Sequence, residues 1–173
     1  MGNLYRKYWQ HFLFYYTQII VKKLNINTMT PINILLVEDN EGDILLTVEA
    51  LEEGKITNRI DVVKDGKQAI DFLSKKAPYA EVAEPQLVLL DINLPKKNGY
   101  EVLQFIKSND NIKHLPVIML TTSSSEKDII ESYKSYANCY ITKPVEVKDF
   151  MNAVASIKSF WFSIVQLPIT NTQ

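Results

Sequence analysis

The feature that most constrains the fold of this chain is a series of five short apolar runs, each followed by a segment with helical spacing. The runs are INILLVE (32–38), RIDVV (59–63), QLVLLD (86–91), LPVIMLTT (115–122) and NCYIT (138–142). Short apolar runs separated by helices indicate βαβ crossovers, which join parallel strands and place helices on both faces of a sheet. The sequence therefore predicts an α/β fold, a doubly wound parallel sheet of five strands with five helices.

Two of the predicted helices carry start signals. Asn98 precedes the segment GYEVLQFIKS and is predicted to be its N-cap, because its side chain can accept a backbone hydrogen bond. Ser123 and Glu126 have the spacing of a capping box, which predicts where the fourth helix begins.

Residues 1–30 differ from the rest of the chain, because they contain four lysine or arginine side chains and no acidic one. The remainder has 19 − 4 = 15 basic against 20 acidic residues, a charge of −5. We interpret 1–30 as a basic, aromatic extension, either an appended tail or an upstream start before Met29. A single domain over 31–166 and a tail over 167–173 follow. The apolar stretch FLFYYTQIIV is shorter than the about 20 residues that span a bilayer, so no membrane partner is expected.

Charge and cysteine content disfavour several classes of function. A formal net charge of −1 gives no general basic field, so no nucleic-acid partner is expected. Cys139 is the single cysteine, which excludes an internal disulfide, and no Cys/His cluster indicates zinc. This composition is typical of a protein in the reducing cytoplasm.

Charged and hydroxyl side chains stand where the predicted strands end. Glu38 ends the first run and Asp39 follows it, Asp91 ends the third, Thr121 and Thr122 end the fourth, and Lys143 follows the fifth. In open parallel sheets the carboxyl ends of the strands form the binding site, so these side chains are predicted to converge. Three adjacent carboxylates repel one another unless a cation intervenes. The pattern therefore predicts a Mg²⁺ site, with oxygen ligands from the protein and a phosphate.

Such a site suits phosphoryl transfer. With the metal bound, Asp91 can act as a nucleophile on phosphorus and form an acyl phosphate. Lys143 can neutralise a phosphoryl oxygen, and the Thr121 hydroxyl can donate a hydrogen bond to another. We expect Lys143 to lie in a solvent-facing pocket, where its ion pairs contribute little to stability.

The segments LLVEDN, LVLLDINLPKKNGYEVL, VIMLTT and CYITKP carry a family resemblance. Their order and spacings, 121 − 91 = 30 and 143 − 121 = 22 residues, are similar to those of the receiver domains of two-component response regulators. The resemblance extends from residue 32 to about residue 165. It implies a flavodoxin-like receiver fold for the domain over 31–166.

This resemblance implies roles for the residues at the phosphoacceptor and metal positions. Asp91 matches the phosphoacceptor, which takes a phosphoryl group from a histidine of a kinase. Asp39 matches a direct Mg²⁺ ligand, and the backbone carbonyl of Asn93 matches another. Glu38 matches the acidic partner of Asp39 and stands where many members have Asp, which is a departure in the metal site.

The same resemblance implies a conformational switch. Thr121 matches the switch hydroxyl, Tyr140 the switch aromatic residue, and Lys143 the lysine that contacts the phosphoryl group. The peptide bond between Lys143 and Pro144 is expected to be cis, as in the family.

A closer resemblance comes from the Glu-Asp-Asn opening, DINLPKKNG, LTTS, CYITKPV and FWFSIVQLP. Together these segments are similar to the single-domain response regulators of cyanobacterial phytochrome-type histidine kinases. This similarity implies a cytoplasmic phosphoacceptor switch whose partner is a histidine kinase. Such a protein catalyses its own phosphorylation and dephosphorylation and is not otherwise an enzyme.

Three other functions are compatible with an α/β chain of this length. A pseudo-receiver would only bind partners, but it would not need Asp91, Thr121 and Lys143 together. An aspartyl-phosphate phosphatase usually has D-x-D-x-T after its first strand, and INLPKKNG lacks the second Asp. A flavodoxin-like cofactor binder needs a phosphate loop where this chain has the acidic EDNEGD.

The last helix predicts self-association. Its main apolar stripe, expected to pack on the sheet, is Val147, Phe150, Val154, Ile157, Trp161 and Ile164. A second strip of Met151, Ala155 and Phe162 lies on one flank, and Phe160 lies on the other. A helix that covers one sheet face does not need both flanks, so we predict a homodimer through this helix and the edge of strand five, which carries Tyr140.

Overall fold

The computed structural model describes residues 32–53 and 58–168, and these form alternating strands and helices. The strands are β1 (Ile32–Val37), β2 (Asn58–Val63), β3 (Leu87–Leu90), β4 (Val117–Thr121) and β5 (Cys139–Thr142). The helices are α1 (Glu41–Glu52), α2 (Gly66–Leu73), α3 (Gly99–Ser108), α4 (Glu126–Lys134) and α5 (Val147–Ser163). The predicted extension over 1–30 and most of the predicted tail lie outside the described residues.

All five strands are parallel and form one sheet in the order β2-β1-β3-β4-β5. This order confirms the predicted doubly wound sheet and is the flavodoxin-like arrangement. The strand order reverses between β1 and β3, so the crevice at the carboxyl ends of these strands is the expected binding site. No helix in the described ranges is long and apolar enough to span a bilayer.

The strands read as continuous apolar runs because both faces of the sheet are buried. Successive residues of β1 alternate between two cores: Leu35 and Val37 pack with α2 and α3, whereas Ile34 and Leu36 pack with α1 and α5. The central strand β3 is buried at every position. The buried centre of the sheet therefore ends directly at the polar side chains that follow its strands.

The buried face of α5 differs from the predicted stripe. Phe150, Val154 and Ile157 are buried as expected, but Phe162 is also buried, so its assignment to an exposed flank was wrong. Val147 and Ile164 are exposed, although they were expected to pack on the sheet. Val147 is the first residue of α5 and Ile164 is its C-cap, so both lie at the ends of the helix. At about 100° per residue, Phe162 lies about 120° from Phe150, on the side of the helix that carries the buried Lys158.

Lys158 also lies on the buried face of α5. Its ammonium donates to the backbone carbonyl of Leu51 at 2.7 Å and to that of Glu53. Carbonyls at the end of a helix lack partners within the helix, so this lysine satisfies acceptors at the carboxyl end of α1. The packing of α5 against α1 thus includes a buried polar contact that an apolar pattern does not reveal.

Of the two helix starts predicted from the sequence, one is confirmed and the other is wrong. Asn98 and Glu101 form a reciprocal capping box at the start of α3, which confirms the predicted cap. The cap of α4 is Ser125, whose side chain accepts from the backbone of Asp128, so the prediction of Ser123 was wrong. The Ser123 hydroxyl instead donates to the Asp128 carboxylate and braces the same turn from outside the helix.

Asp65 fastens the β3–α3 loop to α2. One carboxylate oxygen of Asp65 caps α2 by accepting from the backbone of Gln68 at 2.7 Å. The other accepts from the ammonium of Lys96 at 2.6 Å. Burial alone would raise the pKa of Asp65, but the hydrogen bonds from Lys96 and Gln68 lower it below its ordinary value.

A lowered carboxyl pKa contributes stability that is present at neutral pH and is lost as the pH falls through the folded-state pKa. We expect Asp65→Asn to keep the helix cap but lose the charge, and so to destabilise the fold by about 1 kcal/mol at neutral pH. Urea unfolding across a pH series measures this, and the gap from wild type should close well below about pH 4. Asp110→Asn, at an exposed carboxylate paired with Lys113, is the control. A gap that does not depend on pH would contradict the ion-pair explanation.

Candidate functional site

The predicted site residues converge at the carboxyl edge of the sheet. Glu38 follows β1, Asp91 follows β3, Thr121 ends β4, and Lys143 follows β5. The ammonium of Lys143 lies 2.5 Å from a carboxylate oxygen of Glu38 and 3.5 Å from one of Asp91. Residues more than a hundred positions apart in sequence are therefore in direct contact, as the strand pattern predicted.

Three carboxylates form a group that fits a hard divalent cation. Oxygens of Glu38, Asp39 and Asp91 all lie within 4.8 Å of one another, and Asp39 is the exposed member. Oxygen ligands with one side open to solvent suit Mg²⁺, which keeps several waters and binds few carboxylates. Asn93 is exposed two residues beyond Asp91, and the role of its backbone carbonyl as a ligand stays a prediction.

Backbone donors orient the two buried carboxylates. The amide of Ile92 donates to Asp91 at 2.7 Å, and the amide of Asn40 donates to Glu38 at 3.2 Å. Burial raises the pKa of Glu38 above its ordinary value, in spite of the hydrogen bond from Lys143. The other oxygen of each carboxylate faces the Lys143 ammonium, at 2.5 Å for Glu38 and 3.5 Å for Asp91.

Lys143 is enclosed rather than solvent-facing. Its side chain is 4% exposed, so the expectation of an open pocket was wrong. Burial alone would lower the pKa of Lys143, but the hydrogen bonds to Asp43 and Glu38 and the charge of Asp91 raise it. The physical reason for the enclosure is that carboxylates from β1, α1 and β3 surround the ammonium.

Asp43 is the site residue that the sequence reasoning missed. Its carboxylate accepts from the Lys143 ammonium at 2.8 Å. Asp43 lies in the first turn of α1, which begins three residues after Glu38, so it stays close to the carboxyl edge of the sheet. That spacing was the available signal, but an acidic residue in a first helical turn is also a common response to the helix dipole.

Thr121 and Tyr140 are linked through the loop that follows β4. Thr121 is fully buried, and its hydroxyl accepts from the backbone of Ser123 at 3.3 Å. The Tyr140 hydroxyl donates to the carbonyl of Ser123 at 2.8 Å, and burial raises the pKa of this tyrosine. The two predicted switch residues therefore contact the same loop residue, although their switch role stays a prediction.

The peptide bond after Lys143 does not match the family expectation. Among the described residues the cis peptide bond precedes Pro78, and the bond between Lys143 and Pro144 is trans. The prediction of a cis bond was therefore wrong for this structure. A trans X-Pro bond is the lower-energy form by about 0.5–1 kcal/mol.

These features define a class of protein. The sheet order, the acidic cluster and the enclosed lysine agree with the match of residues 34–155 to the model of the response regulator receiver domain. The chain belongs to this family of two-component signalling proteins.

Particular members are similar over nearly all of the described chain. The response regulator Rcp1 of Synechocystis sp. is 45% identical over 138 residues, which cover 80% of this chain and 94% of that protein. A crystal structure of the phosphorylated cyanobacterial phytochrome response regulator RcpA has a TM-score of 0.79 and 43% identity, covering 81% of this chain and all of that one. The Mn²⁺-bound form of Rcp1 has a TM-score of 0.78 and 45% identity, covering 80% of this chain and 100% of its own. The chain is thus a receiver domain related to phytochrome response regulators.

Proposed function

We propose that this receiver domain is a phosphorylation switch in which Asp91 accepts a phosphoryl group from a histidine of a kinase. The observation that carries the proposal is the position of Asp91, which shares a cluster with two other carboxylates and lies 3.5 Å from the Lys143 ammonium. A relative of the same family is known in a phosphorylated form, which supports the assignment.

The chemistry is a single displacement at phosphorus. A carboxylate oxygen of Asp91 forms the new bond to phosphorus while the bond to the histidine nitrogen breaks, and the imidazole leaves with its electron pair. Lys143 neutralises negative charge on a phosphoryl oxygen, and the Thr121 hydroxyl donates to another. The domain turns over no metabolite, so it acts as a switch and not as an enzyme on a separate substrate.

Mg²⁺ is the metal that we propose for this site. Glu38, Asp39 and Asp91 would hold it, with the backbone carbonyl of Asn93 as a further ligand, and it would neutralise charge on the transferred phosphoryl group. The Mn²⁺-bound form of Rcp1 supports a divalent cation in this family. The all-oxygen donor set suits Mg²⁺ and Mn²⁺ and disfavours metals that prefer nitrogen or sulfur ligands.

A phytochrome-type histidine kinase is the proposed partner, and the cytoplasm is the proposed location. The support is the similarity to regulators named for phytochrome signalling. The free thiol of Cys139 is compatible with a reducing compartment.

Phosphotransfer profiling tests this partnership. The full chain is incubated for short times with each purified, autophosphorylated histidine kinase of the host. We expect one phytochrome-type kinase to transfer its label far faster than the others, because specificity is a difference between transition-state affinities. Equal or absent transfer from the phytochrome-type kinases, with rapid transfer from another kinase, would assign the chain to a different signal.

We also propose that the domain forms a homodimer through α5 and the outer edge of β5. Strand β5 is at the edge of the sheet of described strands. Phe160 of α5 is 50% exposed, and Ile164, the C-cap of this helix, is also exposed. A strand that no other described strand pairs on its outer side, beside exposed apolar residues, favours association with a second copy. The buried Phe162 has no part in this surface, which corrects the interface predicted from the sequence.

Phe160→Asp is expected to weaken the dimer by at least about tenfold, because an exposed carboxylate would be desolvated in the contact. Sedimentation velocity across micromolar concentrations, with and without beryllofluoride, measures the shift. The matched control is Ser159→Asp, which adds the same charge about 100° around the helix. A wild-type chain that stays monomeric in both conditions, or a dimer that Phe160→Asp leaves intact, would exclude this interface.

A further inference from the structure

Lys143 has three carboxylate partners, and they do not have equal roles in the proposed metal site. Glu38 and Asp91 lie in the acidic cluster, at 2.5 and 3.5 Å from the ammonium. Asp43, at 2.8 Å, lies outside that cluster. One of the two closest partners of the lysine is therefore a carboxylate that the metal does not require.

The local structure holds Asp43 in this position. Asn40 caps α1 by accepting from the backbone amide of Asp43 at 3.0 Å, which fixes the first turn of the helix. The Asp43 side chain is only 31% exposed and reaches from the helix toward β5. Because the capped turn positions its backbone, little conformational entropy is lost when Asp43 binds the ammonium.

We propose that Asp43 is a positioning residue for metal binding, which retains Lys143 so that Glu38 and Asp91 can coordinate the cation. This inference rests on the proposed phosphoacceptor function. The ammonium and a divalent cation compete for the same two buried carboxylates. Asp43 gives the ammonium a partner that it keeps when the cation binds.

The charge balance of the site gives the direction of the effect. With all groups ionised, the carboxylates of Glu38, Asp39, Asp43 and Asp91 and the ammonium of Lys143 sum to −4 + 1 = −3. Removing the charge of Asp43 changes this sum to −2 and leaves Lys143 held only by carboxylates of the metal cluster. Both changes weaken the attraction of the site for a divalent cation.

Asp43→Asn is therefore expected to weaken Mg²⁺ binding by about tenfold, as measured by isothermal titration calorimetry on the full chain. Asp39→Asn serves as a reference for loss of a direct ligand. Labelling by acetyl phosphate should need correspondingly more Mg²⁺, whereas the rate at saturating Mg²⁺ should stay within about twofold of wild type. A residue that only supports the fold would not shift the Mg²⁺ requirement while sparing the saturated rate.

Glu41→Gln is the matched control, because it removes one negative charge from the same helical turn. Glu41 is paired with Lys64 and not with Lys143. Its loss should change Mg²⁺ affinity by less than about twofold, as expected for a screened surface charge. Equal Mg²⁺ affinities for Asp43→Asn and Glu41→Gln would overturn the proposal without the use of any Lys143 variant.

A double-mutant cycle tests whether Asp43 acts through Lys143. In a Lys143→Met chain shown to be folded by circular dichroism, Asp43→Asn should have less than about a third of its effect on Mg²⁺ affinity. An undiminished effect in that background would overturn the proposal. If wild type neither binds Mg²⁺ nor becomes labelled, the proposed function itself fails. If wild type does both and Asp43→Asn is indistinguishable from it, only the role of Asp43 fails.

Discussion

Asp91→Asn is expected to abolish the incorporation of phosphoryl groups from acetyl phosphate in the presence of Mg²⁺. The carboxamide lacks the anionic oxygen that attacks phosphorus, so no acyl phosphate can form at this position. The Ile92 amide, which donates to Asp91 at 2.7 Å, can still donate to the oxygen of an Asn side chain, so the loop should keep its conformation. Intact-mass spectrometry should find one base-labile phosphoryl group on wild type and none on the variant.

The matched control for this experiment is Asp149→Asn. Asp149 is an exposed aspartate in the first turn of α5, so its replacement tests for nonspecific labelling of surface carboxylates. It should be labelled like wild type, and omission of Mg²⁺ should suppress labelling of both. Labelling of Asp91→Asn at the wild-type rate would show that another residue is the phosphoacceptor.

The sheet could be predicted from sequence because burial on both faces leaves a strong local signal. Runs such as LVLL in β3 have no polar position, and a parallel sheet between two layers of helices is the arrangement that produces them. The position of the site could be predicted from the same runs, since the side chain that follows each buried strand lies at one edge of the sheet. Glu38, Asp91 and Lys143 were found in this way.

Features that depend on the packing of helices were predicted less well. Phe162 lies on the side of α5 that carries Lys158, whose ammonium contacts the end of α1, and a single apolar stripe centred on Phe150 does not include that side. The burial of Lys158 was missed because its acceptors are backbone carbonyls at the end of α1, which no side-chain pattern indicates.

The environment of Lys143 was also beyond the sequence pattern. The strand ends predicted which residues meet, but the enclosure of the ammonium depends on α1 bringing Asp43 over it. An acidic residue in a first helical turn has a common explanation in the helix dipole, so its second role was hidden. Because of this contact, removing the lysine side chain is expected to have a large effect on the stability of the fold, where the sequence predicted a small one.

Lys143→Met is now expected to destabilise the metal-free protein by about 3–5 kcal/mol, the cost of leaving a buried charge without its partner. The Glu38 side chain is 3% exposed and close to Asp91, so the loss of the ammonium leaves two carboxylates facing each other out of water. Urea unfolding at neutral pH with a chelator present measures the loss. Lys64→Met, which breaks an exposed pair with Glu41, is the matched control and should cost about 1 kcal/mol or less.

Two further measurements identify the unpaired charge as the cause. The double variant Lys143→Met/Glu38→Gln should recover a large part of the lost stability, because it removes the isolated carboxylate together with its partner. Added Mg²⁺ should also restore stability to Lys143→Met, since a cation that binds only the folded state stabilises it and can replace the missing positive charge. If Lys143→Met unfolds within about 1 kcal/mol of wild type in chelator, either water reaches Glu38 readily or its carboxyl takes up a proton. The enclosed ion pair would then contribute as little as an exposed one.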